Sequence, residues 1–366
     1  MVKSRYLLTV IVPTFNEVDN ISKFISSIQE ILKKTNFQIL FVDDNSTDGT
    51  IEEIKKFRDL LPNVDLILRI GRRGLSGACI EGIQNSDSTY VAIMDCDLQH
   101  DEKLLIKMIN EFSENENLDL VIGSRHVENG DSKKGFSYVR DLGSRYAIGL
   151  TQRLLKLKIN DPMSGFFMAK KTSIDPLLKK LQPNGFKILT DILASSKRSL
   201  LTKELGYEFK KRSAGYSKMN FSVVLELIGL FVSHLSFGLI SMRFVLFGFV
   251  GFSGIFVQLT ATYFFLKIVS LSFYYSQLFS IIITMTSNYY LNNLITFKEH
   301  SLVGKRFFQG LISFYFICSI GALANIAIAE KLYNGFGIWY FASFSGALVG
   351  AFWNFIFSSI FTWKTR

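Results

Sequence analysis

Cysteine is scarce in this 366-residue chain, which has three, and proline (five) and histidine (four) are hardly commoner. Cys79, Cys96 and Cys318 show neither paired nor metal-ligand spacing. That argues against a disulfide framework or a thiolate zinc site, and a reduced compartment is the expectation. Acidic residues nearly vanish from the last third: residues 237–366 hold two Asp+Glu against eight Lys+Arg, whereas residues 1–236 hold 29 against 33. The net charge of +10 is spread out, with no block of like charge. This excludes a basic nucleic-acid arm and suits anionic lipid head groups and phosphates. No leader peptide is expected, because Met1–Arg5 opens onto an apolar run of only about seven residues that ends at Pro13.

What is present divides the chain in two. Four short apolar runs, Leu7–Val12, Phe37–Val42, Val91–Met94 and Leu118–Ile122, read as strands. Val18–Lys33 and Thr50–Leu61 carry apolar residues at helical spacing, and Thr47 or Asp48 is the candidate N-cap of the second helix. Strands alternating with helices imply an α/β domain on a mainly parallel, doubly wound sheet, whose ligands bind beyond the carboxyl ends of the strands. Asn16-Glu17, Asp43-Asp44, Asp95-Asp97-Gln99 and Arg125 all fall at such ends.

Val91–His100 is the most informative stretch, since an apolar run there delivers Asp95, Asp97 and Gln99 at alternate positions. In an extended chain those side chains share a face. Hard oxygen ligands suit Mg²⁺ or Mn²⁺, which usually take one or two carboxylates plus substrate phosphates. A metal-assisted enzyme acting on a phosphorylated donor is therefore expected.

An ordered set of motifs makes the reading more specific. It runs Val12-Pro13-Thr14-Phe15-Asn16-Glu17, Val42-Asp43-Asp44-Asn45-Ser46-Thr47-Asp48-Gly49-Thr50, Arg73-Gly74-Leu75-Ser76-Gly77-Ala78, and Met94–His100. Gly123-Ser124-Arg125, Asp161–Phe167, and Arg212, Gly215, Ser217 and Lys218 follow. Over roughly residues 6–220 the chain resembles glycosyltransferase family 2 enzymes of the GT-A fold, and among them the polyprenyl (dolichyl) phosphate mannose synthases. The resemblance implies a nucleotide-sugar site in which Pro13, Phe15, Glu17, Val42 and Asp44 hold base and ribose. It places Asp95 and Cys96 along the nucleotide sugar, Asp97 and Gln99 on the metal, Arg125 and Arg212 near phosphate charge, and Lys218 with Arg212 in the nucleotide-sugar site. Cys96 departs from the family, which usually has alanine there; a thiol is only slightly larger and contributes mostly backbone, so the change is expected to be tolerated, with an oxidation or soft-metal liability added.

Ser137–Ile159 mixes apolar residues at helical spacing with Arg140, Arg145, Arg153, Lys156 and Lys158, the pattern of a helix lying in a membrane interface. Arg140 and Ser144 are four apart and share a face. The resemblance places them, with Arg125, around an acceptor lipid phosphate. A phosphate monoester is already ionised near neutrality, its second pKa being about 6, and needs no general base. Asp191, which sits where relatives of the wider family carry an acidic base, is accordingly read as a structural or sugar-contacting carboxylate. The Lys210–Lys218 segment reads as a flap over the donor.

Ser222–Leu239, interrupted by Glu226 and His234, reads as a second interfacial helix. Four apolar stretches of about twenty residues follow, near 244–266, 270–297, 307–329 and 337–361. The basic residues at their ends favour a cytoplasmic front domain and C-terminus. Asn288–Phe297, followed by Lys298, resembles the signature of GtrA-like four-helix membrane domains. The expected organisation is a glycosyltransferase domain at 1–220, a linker helix at 221–239 and a four-helix transmembrane domain at 240–366, through which homo-oligomers could form. The expected reaction is inverting transfer of mannose from GDP-mannose to dolichyl or polyprenyl phosphate at the cytoplasmic membrane face. UDP-glucose is the alternative donor, and a lipid-linked-sugar translocase with a regulatory front domain is the alternative class. A processive polysaccharide synthase is disfavoured, as the chain has no Gln-x-x-Arg-Trp sequence.

Overall fold

The structure, a computed structural model, describes residues 4–72, 74–127, 148–149, 151–153, 158–183, 187–196, 199–208, 232, 240–271, 273–336, 349 and 351–364. The chain divides into two compact units, Met1–His234 and Leu235–Arg366.

In the first unit, period-two alternation sends successive side chains of each inner strand to opposite faces of one sheet. In β1 (Tyr6–Thr14), Leu8, Val10 and Val12 enter one apolar cluster and Ile11 the other. In β2 (Phe37–Asp43), Ile39 and Phe41 join the first cluster, while Leu40 and Val42 join the second. Both faces are covered. Helix α1 (Val18–Ile31) presents Ile21, Phe24, Ile25 and Ile28 to the first face, at the three- and four-residue spacing of an amphipathic helix. Helices α2 (Thr50–Leu60) and α4 (Leu104–Glu114) cover the same face through Ile54, Leu105, Met108 and Phe112. Helix α3 (Leu75–Asn85) and helix α5 (Ile188–Ser195) cover the other. Each fully buried Leu, Ile or Phe contributes about 1.5–3 kcal/mol. Asp48, just before α2, accepts the Thr50 N–H at 3.0 Å, so it does the capping work from one position outside Gly49.

The remaining strands are β3 (Val64–Leu68), β4 (Ser88–Ile93), β5 (Leu120–Ser124), β6 (Phe167–Lys170) and β7 (Thr202–Gly206). The sheet order is β3-β2-β1-β4-β6-β5-β7. Every pairing is parallel except those of β6, which runs antiparallel to both β4 and β5. The registers bring one end of each of the seven strands to one edge. Thr14 lies opposite Asp43, and Asp43 opposite Leu68. Ile93 and Ile122 both lie opposite Phe167, and Ser124 lies opposite Gly206. Because β6 is reversed, its entering loop 161–166 arrives where β4 and β5 end. β3, β6 and β7 escape the sequence reading, which takes only the longer apolar runs as strands.

The second unit contains α6 (Met242–Tyr263), α7 (Phe273–Leu291) and α8 (Lys305–Phe336), and residues 351–357 are also helical. Five-residue π turns close α6 at Phe264–Ile268, α7 at Asn292–Thr296 and the last segment at Ser358–Thr362. Among the described residues no helix is long and apolar enough to cross a membrane. The sequence expectation of spans at 270–297 and 337–361 is cut by residues outside the described set, and the one at 244–266 ends in a π turn. The Asn288–Phe297 motif has a structural task here. Asn293 Oδ1 accepts the Leu302 N–H at 2.8 Å and Trp363 Nε1–H at 2.9 Å. The Trp363 ring stacks on Phe297 with centroids 4.1 Å apart, and the buried Tyr289 hydroxyl donates to the Phe307 carbonyl at 2.7 Å.

Candidate active site

At the shared edge the loops after β1 and β2 are zipped together. The Asn16 N–H donates to Ser46 Oγ at 2.8 Å, Thr47 N–H to Asn16 Oδ1 at 3.0 Å, and Glu17 N–H to Thr50 Oγ1 at 2.9 Å. Asn16 and Asn45 adopt φ of 56° and 61°, a left-handed conformation that asparagine tolerates better than most residues. Asp43 is consumed in this scaffold: it accepts from Thr14 Oγ1 at 2.8 Å and from the N–H and hydroxyl of Ser46, each at 2.7 Å.

Asp44 has a different setting. Its carboxylate accepts the Gly74 N–H at 2.7 Å and pairs with Nη1 of Arg69. Arg69 is buried and also donates from Nε to Glu81 at 3.1 Å and from Nη1 to the Gly74 carbonyl at 3.1 Å. Burial outweighs these partners and raises the Asp44 carboxyl above its ordinary value. Gly77 makes room for the guanidinium, since a Cβ there would lie 2.5 Å from Arg69 Nη2 and 3.0 Å from the Pro183 carbonyl oxygen. Arg69 was not among the sequence candidates. Its signal was available: it is the first charged residue after the Leu66-Ile67-Leu68 strand end.

The acidic motif leaves β4 differently from expectation. The strand ends at Ile93, and residues 94–100 form a turn in which Leu98 has φ 59°. Asp97 and Gln99 are therefore grouped by a bend, with the Gln99 N–H donating to Asp97 Oδ1 at 3.1 Å, and not by the pleat of an extended chain. Cys96 points into the core beneath α4, where burial pushes its thiol well above the ordinary value. Little thiolate, the species that oxidises, is then present near neutrality, in keeping with the tolerance expected of this cysteine. His100 is buried, stacks on Phe166 at 5.2 Å and is lowered by burial to about 4, so it is neutral near pH 7.

The loop 161–166 closes the site from the other side. Arg125 grips Asp161 side-on, with Nε–Oδ2 of 2.8 Å and Nη2–Oδ1 of 3.0 Å. Burial works against the Asp161 charge, yet the Arg125 guanidinium holds its carboxyl below the ordinary value; burial likewise opposes the Arg125 charge, and Asp161 raises it regardless. The loop is anchored by the Asp161 N–H to Glu204 at 2.9 Å, by Ser164 Oγ to the Gly123 carbonyl at 2.6 Å, and by Thr190 Oγ1 to the Pro162 carbonyl at 2.8 Å. Gly165 lies against the acidic turn, since a Cβ built there would be 3.4 Å from Asp95 Oδ2.

Of the sequence candidates, Pro13, Phe15, Glu17, Asp44, Asp95, Cys96, Asp97, Gln99 and Arg125 come to this one edge. Val42 also lies on the strand that ends there, but its side chain is buried in the second apolar cluster, so it shapes the floor by packing. Arg140, Ser144, Arg212 and Lys218 lie outside the described residues, as do most of the expected 137–159 helix and nearly all of 221–239. Asp191 is buried at the start of α5 and accepts the Gln182 N–H and Ser195 Oγ–H, a structural placement. Among the described residues no group of three or more His, Cys, Asp or Glu is arranged to hold a metal. The donor set of Asp95, Asp97 and the Gln99 amide oxygen still fits Mg²⁺ or Mn²⁺ in kind, because such ions commonly take few protein carboxylates and complete their shell with water and phosphate.

Comparison with known proteins agrees with this architecture. The Glycosyl transferase family 2 model matches residues 9–178, and the GtrA/DPMS transmembrane domain model matches residues 246–363. A dolichol-phosphate mannosyltransferase of Pyrococcus furiosus is 30% identical over 361 residues, covering 98% of this chain and 99% of that one. A Saccharomyces cerevisiae protein of the same name is 29% identical over 231 residues, covering 60% of this chain and 83% of its own. A solved glucosyl-3-phosphoglycerate synthase from Mycobacterium tuberculosis superposes with a TM-score of 0.49 at 16% identity, over 63% of this chain and 80% of that one. Full-length similarity and the two family matches, added to the loops gathered at one sheet edge, place this chain in the dolichol-phosphate mannosyltransferase family of family 2 glycosyltransferases: it is a glycosyltransferase with a GtrA/DPMS-type transmembrane domain.

Proposed function

We propose that the protein transfers mannose from GDP-mannose to the phosphate of dolichyl or polyprenyl phosphate, with inversion at the anomeric carbon, at the cytoplasmic face of a membrane. The observation that carries this reading is the meeting of an acidic turn and a fixed arginine at the sheet edge. Asp95, Asp97 and Gln99 lie on the turn after β4, and Arg125, locked by Asp161, lies just after β5 and near enough for Asp95 to favour its charge. The first group suits a diphosphate donor and the second an anionic acceptor.

Asp97 and Gln99, with Asp95 beside them, would hold Mg²⁺ or Mn²⁺, which supplies charge neutralisation on the leaving diphosphate. The chain's own residues do the remaining work. Pro13, Phe15 and Glu17 border the donor base and ribose, and Asp44 is held toward them by Arg69. Arg125 presents a guanidinium whose angle is set by the bidentate Asp161 contact, so its charge needs no reorganisation when phosphate arrives. The acceptor is already anionic, so no side chain has to remove a proton, which accords with Asp191 being committed to the Gln182 and Ser195 contacts. Two anions are brought together by fixed cations and orientation. Arg140, Ser144, Arg212 and Lys218 complete the acceptor and donor sides in this reading. The domain plan is a transferase at 1–220, interface helices at 137–159 and 221–239, and a domain of four membrane helices in 240–366 that ends in the cytoplasm and through which copies associate as homo-oligomers.

The test is transfer of labelled sugar into a chloroform-soluble, mild-acid-labile product by the full chain in membranes with Mg²⁺ or Mn²⁺. GDP-mannose is assayed beside UDP-glucose. Product from GDP-mannose alone supports the proposal. Product from UDP-glucose alone overturns the donor assignment, and no product from either overturns the reaction.

A further inference from the structure

Within the C-terminal unit, four helical segments border a half-open cavity of about 440 Å³. That is the size range of small-molecule sites. Its wall takes Thr284, Met285 and Asn288 from α7, spaced so that they share one helical face. Facing them are Gly251 of α6, Cys318 and Gly321 of α8, and Asn354 of the last helical segment. Among the described residues no charged side chain lines it. Two buried atoms in this wall, Asn288 Oδ1 and Asn354 Oδ1, have no hydrogen-bond partner.

Those two oxygens are acceptors, and a buried acceptor without a donor is a position a protein normally fills. Close packing holds both amides in place. A Cβ on Gly254 would come within 2.6 Å of Asn288 Oδ1, and one on Gly321 within 2.1 Å of Asn354 Oδ1. The glycines are therefore what lets each carboxamide sit between helices. The wall's chemistry then selects a class of ligand. An ion of either sign finds no charged partner among the lining residues, and a phosphate dianion has no hydrogen to donate to carbonyl oxygens. A hydroxylated, uncharged group has donors to offer and an apolar remainder for Phe247, Ile281 and Phe314.

We infer that this cavity is a second binding site, which takes an uncharged hydroxyl-bearing head group such as a hexosyl unit, with Asn288 and Asn354 accepting its hydroxyl hydrogens. The site lies wholly in the C-terminal unit and is separate from the sheet-edge site. It does not depend on which nucleotide sugar the first unit uses.

Cys318 supplies the readout: it keeps 9% exposure and lines the cavity, so a small reagent reaches it slowly, whereas Cys79 and Cys96, 0% and 2% exposed in the other unit's core, stay protected. The full chain in phosphatidylcholine nanodiscs is treated with a small thiol reagent, and Cys318 modification is followed by mass spectrometry. Octyl mannoside is the probe; octyl phosphate and octanol are the controls. The expected result is slowing of Cys318 modification by roughly tenfold with octyl mannoside and little change with either control. In Asn288→Leu/Asn354→Leu, Cys318 should react without protection. Equal protection by octanol or octyl phosphate, or none by octyl mannoside, overturns the inference, and the wild-type comparison decides this even where the variant fails to fold. The experiment reads binding and not transfer, so its failure leaves the transfer proposal standing.

Discussion

Arg125 and Asp161, 36 residues apart, meet through two parallel hydrogen bonds of 2.8 and 3.0 Å, with the carboxylate fully buried and the guanidinium nearly so. The pair ties the end of β5 to the loop that enters β6. It also fixes the direction of the one arginine that the described residues place beside the acidic turn at this edge.

Asp161→Asn should cost roughly 3–5 kcal/mol, since it strands a buried guanidinium without its counter-charge. Thermal unfolding of the purified chain measures this. The folded carboxyl lies below its unfolded value of about 3.9, so its stabilising effect is complete above that pH and fades as pH falls through the lower folded value. The asparagine variant should accordingly lose less stability than wild type on acidification across that window. Parallel acid limbs for the two proteins would show that the pair does not govern the region.

Asp97→Asn and Asp191→Asn separate turnover from scaffold. The first should reduce metal-dependent transfer by on the order of a hundredfold with little change in melting temperature. The second should lower melting temperature and leave turnover of the folded fraction within about tenfold, because Asp191 accepts from Gln182 and Ser195. Equal loss of turnover in both would make Asp191 a base and overturn the pre-ionised acceptor account.

Arg69→Lys keeps the charge and discards the fork that reaches Asp44, Glu81 and the Gly74 carbonyl together. Donor KM should rise about tenfold while kcat changes little, as expected for a residue that positions the ribose side. Gly77→Ala should have a similar effect from the opposite direction, since its methyl group would push on the guanidinium and on the rigid Pro183 carbonyl. A kcat effect without a KM effect would place Arg69 in the chemistry itself.

Cys96 should resist alkylation in the folded chain and react on unfolding, because burial raises its thiol well above the ordinary value. Cys96→Ala should change stability by about 1 kcal/mol or less, and activity hardly at all. Rapid native-state labelling of Cys96 would show the turn to be open.

Much of the site was legible because strand ends and polar clusters coincide along the chain. Asn16-Glu17, Asp43-Asp44 and Asp95-Asp97-Gln99 each follow an apolar run, and a parallel sheet puts such ends on one edge. The exceptions have a common cause. Asp43 and Asp44 are adjacent and chemically alike, yet one is bound into the Thr14 and Ser46 scaffold and the other faces Arg69. Nothing local distinguishes them. Val42 matches its motif but packs inward, because alternation along β2 decides its direction.

From sequence alone came the two-part organisation, the mainly parallel α/β class and the residues that crowd the strand ends, since hydrophobic periodicity and charge distribution are local properties. The tertiary structure alone decided the reversed β6, the Arg125–Asp161 and Arg69–Asp44 pairs, and the Leu98 bend that groups Asp97 with Gln99. Those depend on long-range pairing and on which charges share a buried space, and burial makes an unpartnered charge too costly to leave to chance.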